Sequence, residues 1–432
     1  MSQENKFLIN IPQGAEKILE RLNAAGHEAY IVGGCVRDSL LGITPKDWDI
    51  TTSADPGEVK KLFRRTVDTG IRHGTVTVLM GKESYEVTTY RVDGNYSDGR
   101  HPDRVSFTGD LTEDLKRRDF TINAMSYHPD QGIIDEFDGA GDISRRLVKC
   151  VGDPLERFTE DALRMMRAVR FAAQLGFDID GATAEAARQL ADRIEYVSAE
   201  RIREELVKTL VSPDPARIMT AMDLGLTARI LPEFDRSYER AMEKGEAFLP
   251  PLELGFAPAN AVLRLAVLMR NFGESPAESA SAADDILKRL KSDNHTREHV
   301  VRLIRLQGHE IEESEAGVRR AAYIAGTDIL DELISLQKSA AAAAGNETET
   351  LRLDSIGEIY RKVTEEGQCV NLKGLALNGN DLISSGIGPG PVTGEILKEL
   401  LEEIIEDPSL NRKELLLEKA LKNAESKRII GK

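Results

Sequence analysis

Two aspartates one residue apart, Asp47 and Asp49, follow a glycine pair, Gly33 and Gly34, within the stretch from Tyr30 to Thr52, YIVGGCVRDSLLGITPKDWDITT. Alternate side chains of a strand share a face, so Asp47 and Asp49 are expected to point one way and Trp48, the only tryptophan, the other. Like charges that close repel unless something cationic lies between them, and a divalent metal is the natural occupant. The glycines let the backbone turn sharply and approach a ligand, and the N–H groups opening the next helix favour an anion. Arg37, one turn into that helix, can reach an oxygen of the same anion. A phosphate cradle beside a metal-binding carboxylate pair points to phosphoryl or nucleotidyl transfer, with Mg2+ activating an attacking hydroxyl and steadying the departing pyrophosphate. A glycine turn or a D-x-D alone is common; the combination at this spacing carries the reading.

The elements that must hold these residues are legible around them. Tyr30, Ile31 and Val32 read as a strand, Val36 to Leu41 as a short amphipathic helix, and Asp47 to Ile50 as a second strand. Before them, Gly14 to Ala25 is an amphipathic helix with Ile18, Leu19 and Leu22 on one side. After them, Asp55-Pro56-Gly57-Glu58 has the form of a helix start, and Thr75 to Met80 and Tyr85 to Tyr90 alternate as two strands about Gly81-Lys82. A small mixed sheet with helices on one face results. Val92 to Arg104 is rich in Gly, Asp, Asn and Pro and reads as a loop. From Asp153-Pro154 onward the strand signal fades and the chain reads as helices, an α+β head followed by an all-α remainder.

Gly33-Gly34-Cys35-Val36-Arg37-Asp38 with Asp47-Trp48-Asp49 resembles the opening signature of class II tRNA nucleotidyltransferases, the CCA-adding enzymes and their bacterial poly(A) polymerase relatives. Arg117-Arg118-Asp119-Phe120-Thr121-Ile122-Asn123-Ala124 resembles the family's second signature, and Glu160-Asp161-Ala162-Leu163-Arg164 its E-D-x-x-R base-reading signature. Three ordered motifs cover the N-terminal half; the tail resembles the family more loosely. The resemblance implies a template-independent enzyme that adds CCA to tRNA 3′ ends from CTP and ATP, with Asp47 and Asp49 as catalytic metal ligands for Mg2+. Alternatives on the same scaffold are an A-adding enzyme, a poly(A) polymerase and a catalytically silent RNA-binding protein.

By the same resemblance Gly34, Arg37 and Arg118 hold the nucleotide, and one arginine of the Arg117-Arg118 pair is expected to be held by Asp119. Glu86 is a candidate third acid on a neighbouring strand, or a solvent-facing glutamate. Asp161, Arg164, Arg167 and Arg170 recur every three residues and are expected to form a slanting row on one helix, crowding positive charge that calls for an anion. Asp161 can accept from an exocyclic amino group while Arg164 donates to the adjacent ring acceptor. Cytosine and adenine both present that edge; guanine and uracil put a carbonyl there. Arg167 and Arg170 complete the nucleotide site on the family match. In the family a loop at 92–104 accompanies addition of the final A, which argues against a CC-only enzyme. Asp135, Asp138, Gly139 and Asp142 look like the family's hinge segment or an ordinary acidic turn.

Length and composition set the frame. At 432 residues with 41% hydrophobic content, about three domains with real cores are expected. The motifs divide the chain more finely: a catalytic head at 1–150, a base-recognising neck at 151–213, a helical body at 214–330 and a tRNA-binding tail at 331–432. No stretch approaches the roughly 18 apolar residues of a membrane span, and the N-terminus lacks a signal peptide's regions, so a cytoplasmic protein without membrane partners is expected. Cys35, Cys150 and Cys369 are scattered, against a disulfide framework or cysteine zinc site. The net charge of −16 is acidic for an RNA enzyme, yet Lys116-Arg117-Arg118, Arg164 with Arg167 and Arg170, and Arg201 with Arg203 form local basic clusters. His295-Thr296-Arg297-Glu298-His299 matches an H-x-x-E-H zinc pattern but reads as a solvated helix face. Ahead of the Val392 to Glu406 helix, the glycines from Gly386 to Gly390 suit an RNA-backbone contact or a plain connector.

Overall fold

Apolar alternation folds the first part of the chain into a sheet whose buried face is covered by helices. The computed structural model describes residues 8–94 and 105–426. Helix α1 (Gln13–Ala24) buries Ala15, Ile18, Leu19 and Leu22, the stripe its periodicity calls for. It leads to β1 (Ala29–Val32), which is buried throughout and ends in α2 (Gly34–Leu40). Strand β2 (Asp49–Thr52) follows, then α3 (Pro56–Leu62), started by a capping box in which the Asp55 backbone N–H donates to Glu58 Oε2 at 3.0 Å.

The sheet is larger than the sequence reading. Besides β1 and β2 it contains β3 (Thr66–Gly70), β4 (Thr75–Met80) and β5 (Glu83–Thr89), and beyond a two-stranded ribbon of β6 (Arg91–Asp93) and β7 (Val105–Phe107) come β8 (Ser126–His128) and β9 (Gly132–Ile134). The strand order is β3-β4-β5-β2-β1-β8-β9, with β2 and β5 parallel and the other neighbours antiparallel. Ile18, Ile31, Val36, Ile50, Val76, Val87 and Met125 meet in its core. The ribbon brackets the glycine-rich segment, most of which lies outside the described residues.

Helices α4 (Leu111–Lys116), α5 (Gly139–Arg145), α6 (Pro154–Glu160), α7 (Leu163–Leu175), α8 (Gly181–Gln189) and α9 (Ala199–Leu210) carry the chain on from the sheet. Asp135 opens α5 by accepting from the Gly139 and Ala140 N–H groups at 2.7 and 2.8 Å, and buried Asp142 accepts from Thr121 Oγ1 at 2.7 Å. The acidic segment thus ties itself to the residues just after Arg118.

The chain divides into two compact units, Met1–Asp235 and Arg236–Lys432. The second is helical. Its last part packs Leu377, Leu382, Ile396, Leu400, Ile404 and Leu416 into a separate core. Arg319, 2% exposed, closes the end of the Pro391–Glu406 helix by donating to the Ile405 and Glu406 carbonyls at 2.7 and 3.2 Å. His299 lies on the Asn294–Leu306 helix with Nε2 3.2 Å from Asp328, so this histidine of the H-x-x-E-H match is turned to a carboxylate. Among the described residues no helix is long and apolar enough to cross a membrane.

Candidate active site

Strand β1 runs straight into the glycine turn. Gly33 has φ 85° and ψ −135°, a conformation open to glycine alone, and its N–H donates to the Met125 carbonyl at 3.1 Å. A Cβ at Gly33 would lie 3.0 Å from Arg118 Nη1, so the turn and this guanidinium already touch. The register of β1 with β2 pairs Val32 with Asp49, which sets the Asp49 carboxylate beside the turn.

Asp47 is not in the strand, as the sequence reading had it. Continuing the register would pair residues 48 and 47 with 33 and 34, where the partner chain has already turned into α2, so β2 begins at Asp49. Both carboxylates are exposed and Trp48 half-buried. In the parallel pair of β2 and β5, Asp49 stands opposite Glu86, so the two share a face, and Glu86 is exposed between buried Tyr85 and Val87. The Asp49 carboxyl is held above its ordinary value, first by loss of hydration and then by Glu86, against the pull of Arg118; Asp47 adds to the repulsion.

Arg118 forms the cationic wall. Its Nη2 is 3.6 Å from Asp114, while its buried Nε makes no hydrogen bond among the described residues. Arg117 is held not by Asp119, as expected, but by Asp114, whose Oδ1 accepts from Arg117 Nε and Nη2 at 3.0 and 2.7 Å. The two are three apart on one helical turn, whereas Asp119 faces away toward α7. There Asp119 accepts from Arg167 Nε at 2.8 Å and from Asn123 Nδ2 at 3.2 Å, and these partners, outweighing burial, hold its carboxyl down at about 2. Asn123 Oδ1 in turn accepts from Arg37 Nη1, and Arg37 pairs with Asp38 at 2.7 Å. A continuous polar chain therefore runs from the glycine turn to α7.

The arginine row is built differently from its sequence pattern. Asp161 is extended (φ −145°, ψ 102°) and separates α6 from α7, so it does not share a helix with Arg164, Arg167 and Arg170. Its carboxylate accepts from the Leu163 N–H at 3.1 Å and pairs with Arg201 at 2.7 Å. Arg164 is 9% exposed; it pairs with Glu160 at 2.5 Å and donates to the Arg157 and Arg117 carbonyls, both at 3.1 Å. Arg170 pairs with buried Glu205 at 2.7 Å. The expectation that these arginines need an outside anion is corrected: Glu160, Asp119 and Glu205 supply the charge. Phe171 packs among two of them and Arg37, its ring centroid 5.1, 5.5 and 4.1 Å from the guanidinium carbons of Arg37, Arg167 and Arg170.

The structure thus gathers Gly34, Arg37, Asp49 and Arg118 at the turn, with Glu86 beside Asp49, and joins Arg167 to them through Asp119. The sequence reading gave no site role to Asp114, Asn123 or Glu205, placed Arg201 only in a basic cluster and left Phe171 to packing. Asn123 stood inside a quoted motif; Asp114 and Glu205 carried no local signal. Oxygen donors on Asp47, Asp49 and Glu86 suit a hard divalent cation, which would offset the loss of hydration and, after it, the repulsion from Glu86 that together push Asp49 up. Among the described residues no group of three or more Asp, Glu, His or Cys side chains is placed to hold a metal ion by itself.

Carboxylates beside a glycine turn, with an arginine set against that turn, are the arrangement of a nucleotidyltransferase head. The family model of the Poly A polymerase head domain matches residues 29–149, that of an RNA- and SrmB-binding site of polymerase A residues 176–238, and that of a tRNA nucleotidyltransferase domain 2 residues 272–420. The chain is 38% identical over 406 residues to the CCA-adding enzyme of Limosilactobacillus fermentum, covering 94% of this chain and 96% of that one. It is 36% identical over 416 residues to that of Lactiplantibacillus plantarum, covering 96% and 97%. The crystal structure of the Bacillus stearothermophilus CCA-adding enzyme in complex with CTP superposes with a TM-score of 0.79 at 29% identity, covering 96% and 98%. The Thermotoga maritima CCA-adding enzyme complexed with tRNA shares the fold, with a TM-score of 0.62 at 21% identity over 94% of each chain. The chain belongs to the family of CCA-adding enzymes.

Proposed function

We propose that this chain adds CCA to the 3′ ends of tRNA from CTP and ATP without a nucleic-acid template, in the cytoplasm. The observation that carries the reading is Asp49, set by strand register beside Glu86 and the Gly33 turn and faced by Arg118. Asp47 and Asp49 hold Mg2+, which when bound lowers the pKa of the attacking 3′-hydroxyl and offsets charge on the pyrophosphate. Gly33 and Gly34 bring the backbone close to the triphosphate, and Arg118, whose Nη1 lies against the Gly33 turn, offers the end of its guanidinium to a phosphate oxygen. Arg37 positions the turn through Asp38 and Asn123.

Base choice falls to Asp161 and Arg164 in the neck, with Arg167 and Arg170 around them. Reading a base requires Asp161 to turn from Arg201 and Arg164 from Glu160, an exchange of one charged partner for a polar one that only C and A complete. The neck at 151–213 reads the base, 214–330 forms a helical body, and the tail at 331–432 binds the tRNA. The test is Asp49→Ala: incorporation of CMP and AMP with Mg2+ present falls below detection while the far-ultraviolet circular dichroism stays native. Retained incorporation overturns the metal assignment.

A further inference from the structure

A carboxylate outside the proposed metal and nucleotide sites joins their parts. Asp114 on α4 is fully buried. Its Oδ1 accepts from Arg117 Nε and Nη2 and from the Arg91 backbone N–H at 3.0, 2.7 and 3.3 Å. Its Oδ2 accepts from Thr51 Oγ1 at 3.1 Å and lies 3.6 Å from Arg118 Nη2. Thr51, itself fully buried, is two residues after Asp49 on β2, so the two side chains share a face about 7 Å apart. Asp114 therefore grips the strand that carries Asp49 with one oxygen and faces Arg118 with the same oxygen.

We propose that Asp114 is a positioning residue for nucleotidyl transfer, holding Arg118 in register with Asp49 through Thr51 so that the triphosphate meets a preset guanidinium. Burial pushes the Arg118 guanidinium below its ordinary value, and two carboxylates, Asp114 and then Asp49, work against this in favour of its charged form. Asp114 stays ionised: burial pushes its carboxyl up, but Arg117 and then Arg118 outweigh this and bring it below the ordinary value. With the Asp114 charge removed, Arg118 is drawn onto Asp49. That contact would occupy the guanidinium meant for phosphate and lower the charge of the carboxylate meant for the metal. Arg117 loses its two hydrogen bonds to Asp114 Oδ1 at the same time.

This rests on the proposed function for Arg118 and Asp49, so the test reads nucleotide binding as well as turnover. Asp114→Asn keeps shape and removes the charge; Thr51→Val removes one hydroxyl and keeps the strand. Calorimetric titration with CTP and steady-state kinetics with a tRNA transcript ending in C are run on both. Supporting partners of this kind are commonly worth 10–100-fold. Asp114→Asn is expected to weaken CTP binding and raise the KM for CTP about tenfold while the KM for tRNA holds within about twofold, with Thr51→Val moving the same way by less. Asp114→Asn adds little to Arg118→Lys, because both act through one guanidinium.

A purely structural role predicts a smaller active fraction with unchanged KM and CTP affinity, and that result overturns the proposal, as does additivity with Arg118→Lys. If Asp114→Asn fails to fold, unchanged CTP affinity in Thr51→Val overturns it alone. If the unaltered chain binds CTP but does not incorporate it, the transferase reading fails while Asp114 is still decided by affinity.

Discussion

Replacing Gly33 by alanine probes the turn through two effects that controls can separate. The first is backbone strain. At φ 85° and ψ −135° an L residue is out of place, at a cost of about 1–3 kcal/mol. For a unit the size of Met1–Asp235 that corresponds to a fall in Tm of roughly 2–12 °C. The second effect is contact: the new methyl would lie 3.0 Å from Arg118 Nη1, and the flexible end of the arginine gives way more readily than the backbone. If Arg118 holds the triphosphate, losing one charge-assisted bond of about 1.5 kcal/mol raises the KM for CTP and ATP roughly tenfold. Gly26→Ala is the control for strain, with φ 88° and nothing within 4 Å of the added carbon; it should lose stability and keep its KM. Gly34→Ala, outside the left-handed region and in ordinary contact with Arg37 at 3.5 Å, should fold normally and lose nucleotide affinity. Melting curves and initial rates on a tRNA transcript measure all three. A Gly33→Ala enzyme with the KM of the parent for both nucleotides would refute the placement of the turn and Arg118 against the triphosphate.

Other expectations follow from the same contacts. Asp119→Asn should cost about 2 kcal/mol at pH 7, since a carboxyl held at about 2 rather than 3.8 stabilises the fold by that order. Because the folded value is the lower one, the stabilisation is complete above about pH 4 and is lost as pH falls through about 2; in urea melts the gap between parent and variant should be equal at pH 7 and pH 5, and a gap that has closed by pH 5 contradicts the assignment. Burial pushes the thiols of Cys35 and Cys150 up to about 11 and 12, so at pH 8 both are protonated and shielded: a disulfide reagent should label neither until the protein is denatured, and prompt labelling of the native chain contradicts their burial. Arg164→Ala should loosen discrimination against UTP more than it weakens phosphate binding, read from competing incorporation of CTP and UTP; unchanged selectivity counts against base reading by α7.

Much of the site was legible because its signals are local. The Gly33 turn, the apolar strand before it and the acidic strand after it each show in a few consecutive residues, and two-residue alternation placed β4 and β5. Strands β8 and β9 were not legible: three residues are too few for a period, and Ser126–His128 is buried on both faces, so it does not alternate. The break at Asp161 has no glycine or proline to mark it. It is held open by Arg201, forty positions on, and by the Leu163 N–H. The ion-pair partners were missed for two reasons: Asp119 with Arg167 and Glu205 with Arg170 are distant in the chain, while Asp114 with Arg117 is a helical neighbour whose helix was not foreseen.

The central claim is tested most directly by the products themselves. The purified protein is offered tRNA transcripts ending at the discriminator base, at C and at CC, with each nucleoside triphosphate singly and all four together, and products are sized at one-nucleotide resolution. The account predicts completion to CCA on all three followed by arrest, with C additions from CTP alone, one A from ATP alone on the CC-ended transcript, and nothing from GTP or UTP. One A added only to the CC-ended transcript under every condition, or long A tails on many RNAs, would contradict it.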